Sequence, residues 1–283
     1  MIIIKKEHFN AISKAINEYA GIVLERIPQN RVEKKILDQM KQLDCHNIND
    51  FVELLKNYKN NSKIMDSFIS EITINESYIF RNPKQFEYMI NNFFPEFFKK
   101  NNYEFPLRIW SAGCSHGEEP YSIAMVAKDF KQKNPKAKFV INAGDIDKIS
   151  LSEAQKGIYK SKAIHGKIEF FEQKLGFHIG KHDNNGNCLI SQDIKDMVDF
   201  HWLNLKNITK LKIMQGSDII FCRNVLIYFD EVLRKKILET FYDYLNPNGL
   251  LFIGESECFS FPTNTFELLD TKGSYAYKKP GSK

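Results

Sequence analysis

Four short apolar runs in the second half of the chain constrain its fold more than any other feature. They are Leu107-Arg-Ile-Trp-Ser-Ala, Lys138-Phe-Val-Ile-Asn-Ala, Ser217-Asp-Ile-Ile-Phe-Cys and Leu250-Leu-Phe-Ile-Gly-Glu. Each has the length of a strand and shows little polar alternation. A strand that is apolar on both sides must be covered on both faces, as when helices cross over a parallel sheet. Helical stretches separate the runs. Glu119-Pro-Tyr-Ser-Ile-Ala-Met-Val-Ala has proline in its first turn, Ile149 to Gln155 follows, and Glu231 to Leu245 ends at Asn246-Pro-Asn-Gly. The expectation is an α/β fold on a parallel sheet.

Residues 1–72 differ. Phe9, Ile12, Ile16, Tyr19 and Ala20, then Val32, Ile36, Met40 and Leu43, then Phe51, Leu54, Leu55 and Tyr58 recur at helical spacing. This predicts an all-α N-terminal domain, with 73–283 as the sheet domain. Residues 175–192 carry Asp183-Asn-Asn-Gly-Asn between short alternating segments, which predicts a small antiparallel hairpin appendage. Residues 266–279 predict a final antiparallel pair. Trp110 and the pairs Phe93-Phe94 and Phe97-Phe98 read as core.

Composition narrows the function classes. Net charge is +5, from 40 basic and 35 acidic residues in 283, too mild to point to nucleic acid. No apolar run approaches the ~20 residues of a membrane helix, and the start is too short for a signal peptide. Five scattered cysteines form no Cys-x-x-Cys pair, so no metal site and no disulfide framework is expected. The expected compartment is the cytoplasm, and Cys114 and Cys222 read as packing residues.

Ligands of open α/β sheets bind beyond the carboxyl ends of the strands. The first strand ends in Gly113-Cys-Ser-His-Gly-Glu118-Glu119-Pro, the second in Asp145-Ile-Asp147, the third in Arg223-Asn224 followed by Tyr228. Paired glycines allow a tight turn and close approach, and a strand-end acid suits the hydroxyls of a ribose. Two adjacent carboxylates repel a pyrophosphate, so a dinucleotide is disfavoured and a cationic nucleoside such as S-adenosylmethionine fits. Blander roles stand beside these. Glu118 also suits a helix N-terminus, Asp147 reads as a helix cap, His116 as a solvated loop residue, and Asn224 and Tyr228 as polar turn residues.

Gly113-Cys-Ser-His-Gly-Glu-Glu-Pro-Tyr-Ser-Ile-Ala, Gly144-Asp-Ile-Asp, Phe221-Cys-Arg-Asn-Val-Leu-Ile-Tyr-Phe-Asp and Leu251-Phe-Ile-Gly-Glu-Ser-Glu together resemble the CheR family of chemotaxis receptor glutamate methyltransferases. Thr73-Ile-Asn-Glu-Ser-Tyr-Ile-Phe-Arg-Asn-Pro is similar to a further segment of that family. The resemblance implies a Rossmann-like class I S-adenosylmethionine-dependent sheet and methyl transfer to chemoreceptor glutamates. It implies cofactor contacts at Asn75, Ser77, Arg81, Glu118, Asp145, Asn204, Leu205, Arg223 and Asn224, with Arg81 and Tyr228 near the transferred methyl. Departures from the family pattern are Ser77 and His116 where Thr is usual, and Glu255 where His is common. Rival functions are methylation of another protein and a non-catalytic S-adenosylmethionine sensor or adaptor.

Two docking surfaces are expected. Arg31, Lys34, Lys35 and Lys41 share the polar face of the helix bearing Val32 and Ile36; a solvated charged face is the blander reading. As a docking face they would line the cleft and guide an acidic receptor helix. The hairpin would take a receptor C-terminal tail as an added strand.

Overall fold

The computed structural model describes residues 3–57, 62–73, 77–160, 180–257, 266–271 and 273–281. It opens with helices α1 (Lys6–Ala20), α2 (Gln29–Gln42), α3 (Ile48–Lys56) and α4 (Ser62–Ile72). Their apolar stripes turn inward, with Ile12, Ile16, Val32, Ile36, Met40, Phe51 and Phe68 fully buried. Tyr58 lies outside the described residues. Next, α5 (Pro83–Tyr88) runs through a π-turn into α6 (Phe94–Lys100).

The sheet region follows as β1 (Leu107–Ala112), α7 (Glu118–Lys133), β2 (Phe139–Asp145), α8 (Lys148–Lys156), β3 (Ile158–Tyr159), β4 (Gly180–His182) and β5 (Cys188–Ile190). It continues with α9 (Gln192–Lys195), β6 (Val198–Trp202), β7 (Ser217–Cys222), α10 (Glu231–Tyr244), β8 (Leu245–Ile253), β9 (Glu267–Asp270) and β10 (Tyr275–Lys278).

Seven strands make one sheet in the order β6-β2-β1-β7-β8-β10-β9. The five from β6 to β8 run parallel, and β10 and β9 close the edge antiparallel, as the final pair was expected to. Two differences from the sequence reading have local causes. Strand β8 starts at Leu245, before Asn246-Pro-Asn-Gly: the pairing jumps from Ser217–Leu245 to Ile219–Leu250, so the extra residues of β8, the proline among them, bulge out of the ladder. Strand β6 carries no continuous apolar run because it is an edge strand, where exposed Asp199 and half-buried His201 interrupt it.

Alternate sheet residues feed two cores. Trp110, Ile220, Cys222 and Leu251 pack with α10 and are continuous with the buried stripes of α1–α4. Ile109, Ile219, Phe221 and Phe252 pack with α5–α7. Each expected phenylalanine pair contributes one buried member, Phe94 and Phe98, and one half-buried.

The appendage is a three-stranded antiparallel sheet, β3-β5-β4, so the hairpin finds its partner in Ile158–Tyr159. Asp183 builds its turn: Oδ1 accepts the backbone N–H of Asn185 and of Asn187, both at 2.8 Å, and Gly186 takes φ +76°. Residues 175–179 of the expected hairpin lie outside the described residues.

Candidate active site

Strand β1 is flanked by β2 on one side and β7 on the other, so the chain's crossovers part there and leave a crevice at the carboxyl ends. After β1, Gly113 turns at φ +81°; a Cβ there would stand 2.4 Å from Val225 Cγ2, so only glycine fits. The N–H of Ser115 then donates to Asp145 Oδ2 at 2.8 Å. After β2, Asp145 Oδ1 accepts the N–H of Asp147 at 2.9 Å, and Asp147 caps α8 through Ile149 and Ser150, as its position suggested. After β7, Asn224 turns at φ +60° and a 3₁₀ turn, Leu226–Tyr228, carries Tyr228. Phe80, Asn82 and Ser115 also take positive φ, in segments bordering the same space; such clustering marks functional sites.

These loops border one cleft that opens to solvent. Ser77, Arg81, Asp145, Asn204, Leu205, Arg223, Asn224 and Tyr228 all line it. Asn75 lies outside the described residues.

Glu118 sits apart from the other expected contacts. It is not among the lining residues; Glu119 is. Consecutive helical side chains point about 100° apart, and one of the pair turns to the strand ends. Glu119 does so, accepting from Ser111 Oγ at 2.7 Å and from Arg223 Nη1 at 3.2 Å. Glu118 is 4 % exposed, and its Oε2 has no hydrogen-bond partner among the described residues.

The expected docking face lies away from the cleft. No residue of α2 lines the cleft, and Lys35 is committed to Glu71 of α4 at 2.7 Å. Arg31, Lys34 and Lys41 are exposed. The N-terminal contribution to the lining is instead Ala20, Ile22 and Thr73.

Charge in the cleft is ordered by burial. Desolvation pushes the carboxyls of Glu118, Glu119 and Asp145 above the ordinary range; Arg223 and Ser111 oppose this at Glu119, and backbone N–H groups oppose it at Asp145. Burial weakens the charge of Arg223 while Glu119 supports it. Arg223 also donates Nη2 to the carbonyl of Arg81 at 2.7 Å, while its Nε has no partner among the described residues. Burial holds the thiols of Cys114 and Cys222 well above their usual pKa, which suits packing and not nucleophilic chemistry. His116 is half-buried, 3.1 Å from Glu153, and does not line the cleft.

A family model described as CheR methyltransferase, SAM binding domain, matches residues 75–274. The chain belongs to the CheR methyltransferase family. Curated relatives agree over nearly the whole length. Chemotaxis protein methyltransferase 2 of Vibrio cholerae is 30% identical over 279 residues, covering 99% of this chain and 95% of the relative. The chemotaxis protein methyltransferase of Borreliella burgdorferi is 32% identical, covering 90% of this chain and 89% of the relative. That of Escherichia coli is 33% identical, covering 92% and 87%. This CheR chain is a methyltransferase that uses S-adenosylmethionine, on a Rossmann-like class I sheet, and the sensor or adaptor reading is not favoured.

The residues present fit that cofactor. Asp145 is fixed at the end of β2 with acceptor positions left for ribose hydroxyls, Glu119 and Asp145 balance Arg81 and Arg223 in the lining, and Glu118 Oε2 and Arg223 Nε have no partner among the described residues. Among the described residues no helix is long and apolar enough to cross a membrane.

Proposed function

We propose that this enzyme works in the cytoplasm, methylating glutamate side chains on the cytoplasmic helices of chemoreceptors to form methyl esters in chemotaxis adaptation. The observation that carries this reading is the convergence of Arg81 and Tyr228 with Asp145, Arg223 and Asn224 in one cleft. In this reading residues 1–72 form a helical domain and 73–283 the methyltransferase domain.

Bound S-adenosylmethionine supplies an electrophilic methyl group on a sulfonium. Asp145 is fixed by two backbone N–H groups and keeps lone pairs for the ribose hydroxyls. Ser77, Arg223 and Asn224 complete the hold, with Asn75 and Glu118 as further proposed contacts. Asn204 acts indirectly: its Nδ2 donates to the Tyr19 carbonyl at 2.8 Å and its Oδ1 accepts from Lys206 N at 2.9 Å. Its side chain is therefore occupied in shaping the turn that presents Leu205.

The attacking glutamate needs no general base, because a free carboxyl with pKa near about 4.3 is already ionised at neutral pH. The chain's task is placement. Arg223 holds the Arg81 backbone, and the Arg81 guanidinium lies 5.9 Å from the Tyr78 ring centroid. Arg81 and Tyr228 then orient the incoming carboxylate. A loose Arg81 contact serves better than a bidentate grip, which would dull the nucleophile.

Arg31, Lys34 and Lys41 are proposed to steer the receptor helix, and the hairpin sheet, with β4 at its edge, to take a receptor tail. Transfer of tritiated methyl to receptor cytoplasmic fragments tests the reading. Counts released as volatile methanol by base support it. A base-stable product, or no transfer despite cofactor binding, refutes it.

A further inference from the structure

Behind the wall that carries Asn224 and Tyr228 sits a carboxylate that plays no part in the site described so far. Glu257 closes the short turn after β8 and is 0 % exposed. Its Oε2 accepts the backbone N–H of Asn224 at 2.6 Å and of Gly254 at 2.8 Å, and its Oε1 accepts the N–H of Ile227 at 3.3 Å. One side chain thus ties the exit of β8 to the exit of β7. Gly254 makes room for it: a Cβ there would stand 2.8 Å from Glu257 Oε2 and 3.0 Å from Asn224 N.

The same wall is held from its other side. Val23 N–H donates to the Tyr228 carbonyl at 2.9 Å, Ile22 pairs with Phe229, and Arg26 Nη1 donates to the Ile227 carbonyl at 3.2 Å. Between these anchors Asn224 keeps a left-handed backbone, φ +60°, a region that asparagine tolerates better than most residues with a Cβ. Burying a carboxylate is costly, and packing alone would be met by an apolar side chain. What an apolar residue cannot do is gather three backbone N–H groups at once. Burial pushes the Glu257 carboxyl up, and those N–H groups pull it back.

We infer that Glu257 is a positioning residue for methyl transfer: its carboxylate fixes the backbone from Asn224 to Ile227 and through it sets Tyr228 at the cleft wall. The kinetic arm of the test rests on the proposed reaction; a spectroscopic arm does not.

In the full chain, Glu257→Gln keeps one acceptor oxygen and turns an NH₂ toward N–H donors. Turnover on receptor fragments falls by about tenfold to a hundredfold, the scale of one charge-assisted hydrogen bond. KM for receptor stays within about threefold, while Kd for S-adenosylhomocysteine rises several-fold, because Asn224 belongs to the proposed cofactor hold. In a Tyr228→Phe background the same substitution costs little more, since the two act as one unit. Gly254→Ala crowds both the carboxylate and Asn224, disturbs the same backbone tie from the other end and lowers turnover likewise, which covers the case in which Glu257→Gln does not fold. A folded Glu257→Gln protein with parental turnover overturns the inference, and so does a loss that multiplies fully with that of Tyr228→Phe.

The spectroscopic arm reads the amide protons of Asn224 and Gly254 in the S-adenosylhomocysteine complex. Both move upfield in Glu257→Gln, and the Tyr228 ring signals shift with them. If the parent transfers no methyl to receptor glutamates, the proposed function fails, yet these signals still decide. Unmoved Asn224, Ile227 and Tyr228 resonances in Glu257→Gln refute the positioning role.

Discussion

Replacing Asp145 by asparagine separates ligand recognition from folding at the centre of the cleft. Each oxygen of Asp145 already accepts one backbone N–H, from Ser115 at 2.8 Å and from Asp147 at 2.9 Å. A carboxylate offers about four acceptor positions, so about two remain for ligand hydroxyls. The amide keeps one oxygen and must set its NH₂ against one of those backbone donors. Losing the charge and one acceptor costs about 1.5–3 kcal/mol, or about 10- to 150-fold in Kd for S-adenosylhomocysteine. Stability responds less, because burial already penalises the ionised form and the neutral amide escapes that cost. The pH profile supplies a second check. Because the Asp145 pKa is raised, protonation competes with the ligand as pH falls through it, starting above the ordinary carboxylate range, and the parent loses affinity there. Asparagine cannot be protonated, so that acid limb flattens. Calorimetric titration across pH measures both effects. A folded Asp145→Asn protein with Kd within about twofold of the parent and an unchanged acid limb refutes the assignment.

Arg81→Ala is expected to lower turnover far more than thermal stability, since the side chain borders open cleft; parental kinetics in the folded variant would refute a role for Arg81 in transfer. Changing Arg31, Lys34 and Lys41 together to Glu should raise the KM for receptor and flatten its salt dependence while leaving cofactor affinity alone. Lys35 is spared because it holds Glu71. Receptor kinetics equal to the parent's at low salt would make this face merely solvated. Deleting residues 183–187 should leave S-adenosylhomocysteine binding intact and weaken capture of receptor tails. Undiminished tail binding would clear the hairpin of that role.

The central strands were legible because β1, β2, β7 and β8 are buried on both faces, which writes an apolar run into the sequence. The same reasoning passes over β6, whose open edge admits Asp199 and His201. The cleft was legible because its loops follow legible strands, and the resemblance added Ser77, Arg81, Asn204 and Leu205. What stayed hidden are pairings between distant residues. Lys35 with Glu71 is separated by 36 positions, and Glu257 with Asn224 by 33. Neither leaves a periodic mark. That Glu119, and not Glu118, meets Ser111 and Arg223 is a matter of helix phase relative to the sheet, which a motif does not encode.

The apolar interior beneath α1–α4 runs without a break into the Trp110 and Ile220 face of the sheet. The helices and the strands therefore exclude water from one common volume, so heating should melt them together in a single calorimetric transition. Cutting the chain near residue 72 would expose what each half had hidden. For anyone building chimaeras from CheR relatives, the helical segment is thus not an interchangeable cap. It has to be grafted along with the side chains it covers, or its replacement would float on a surface cut to fit another.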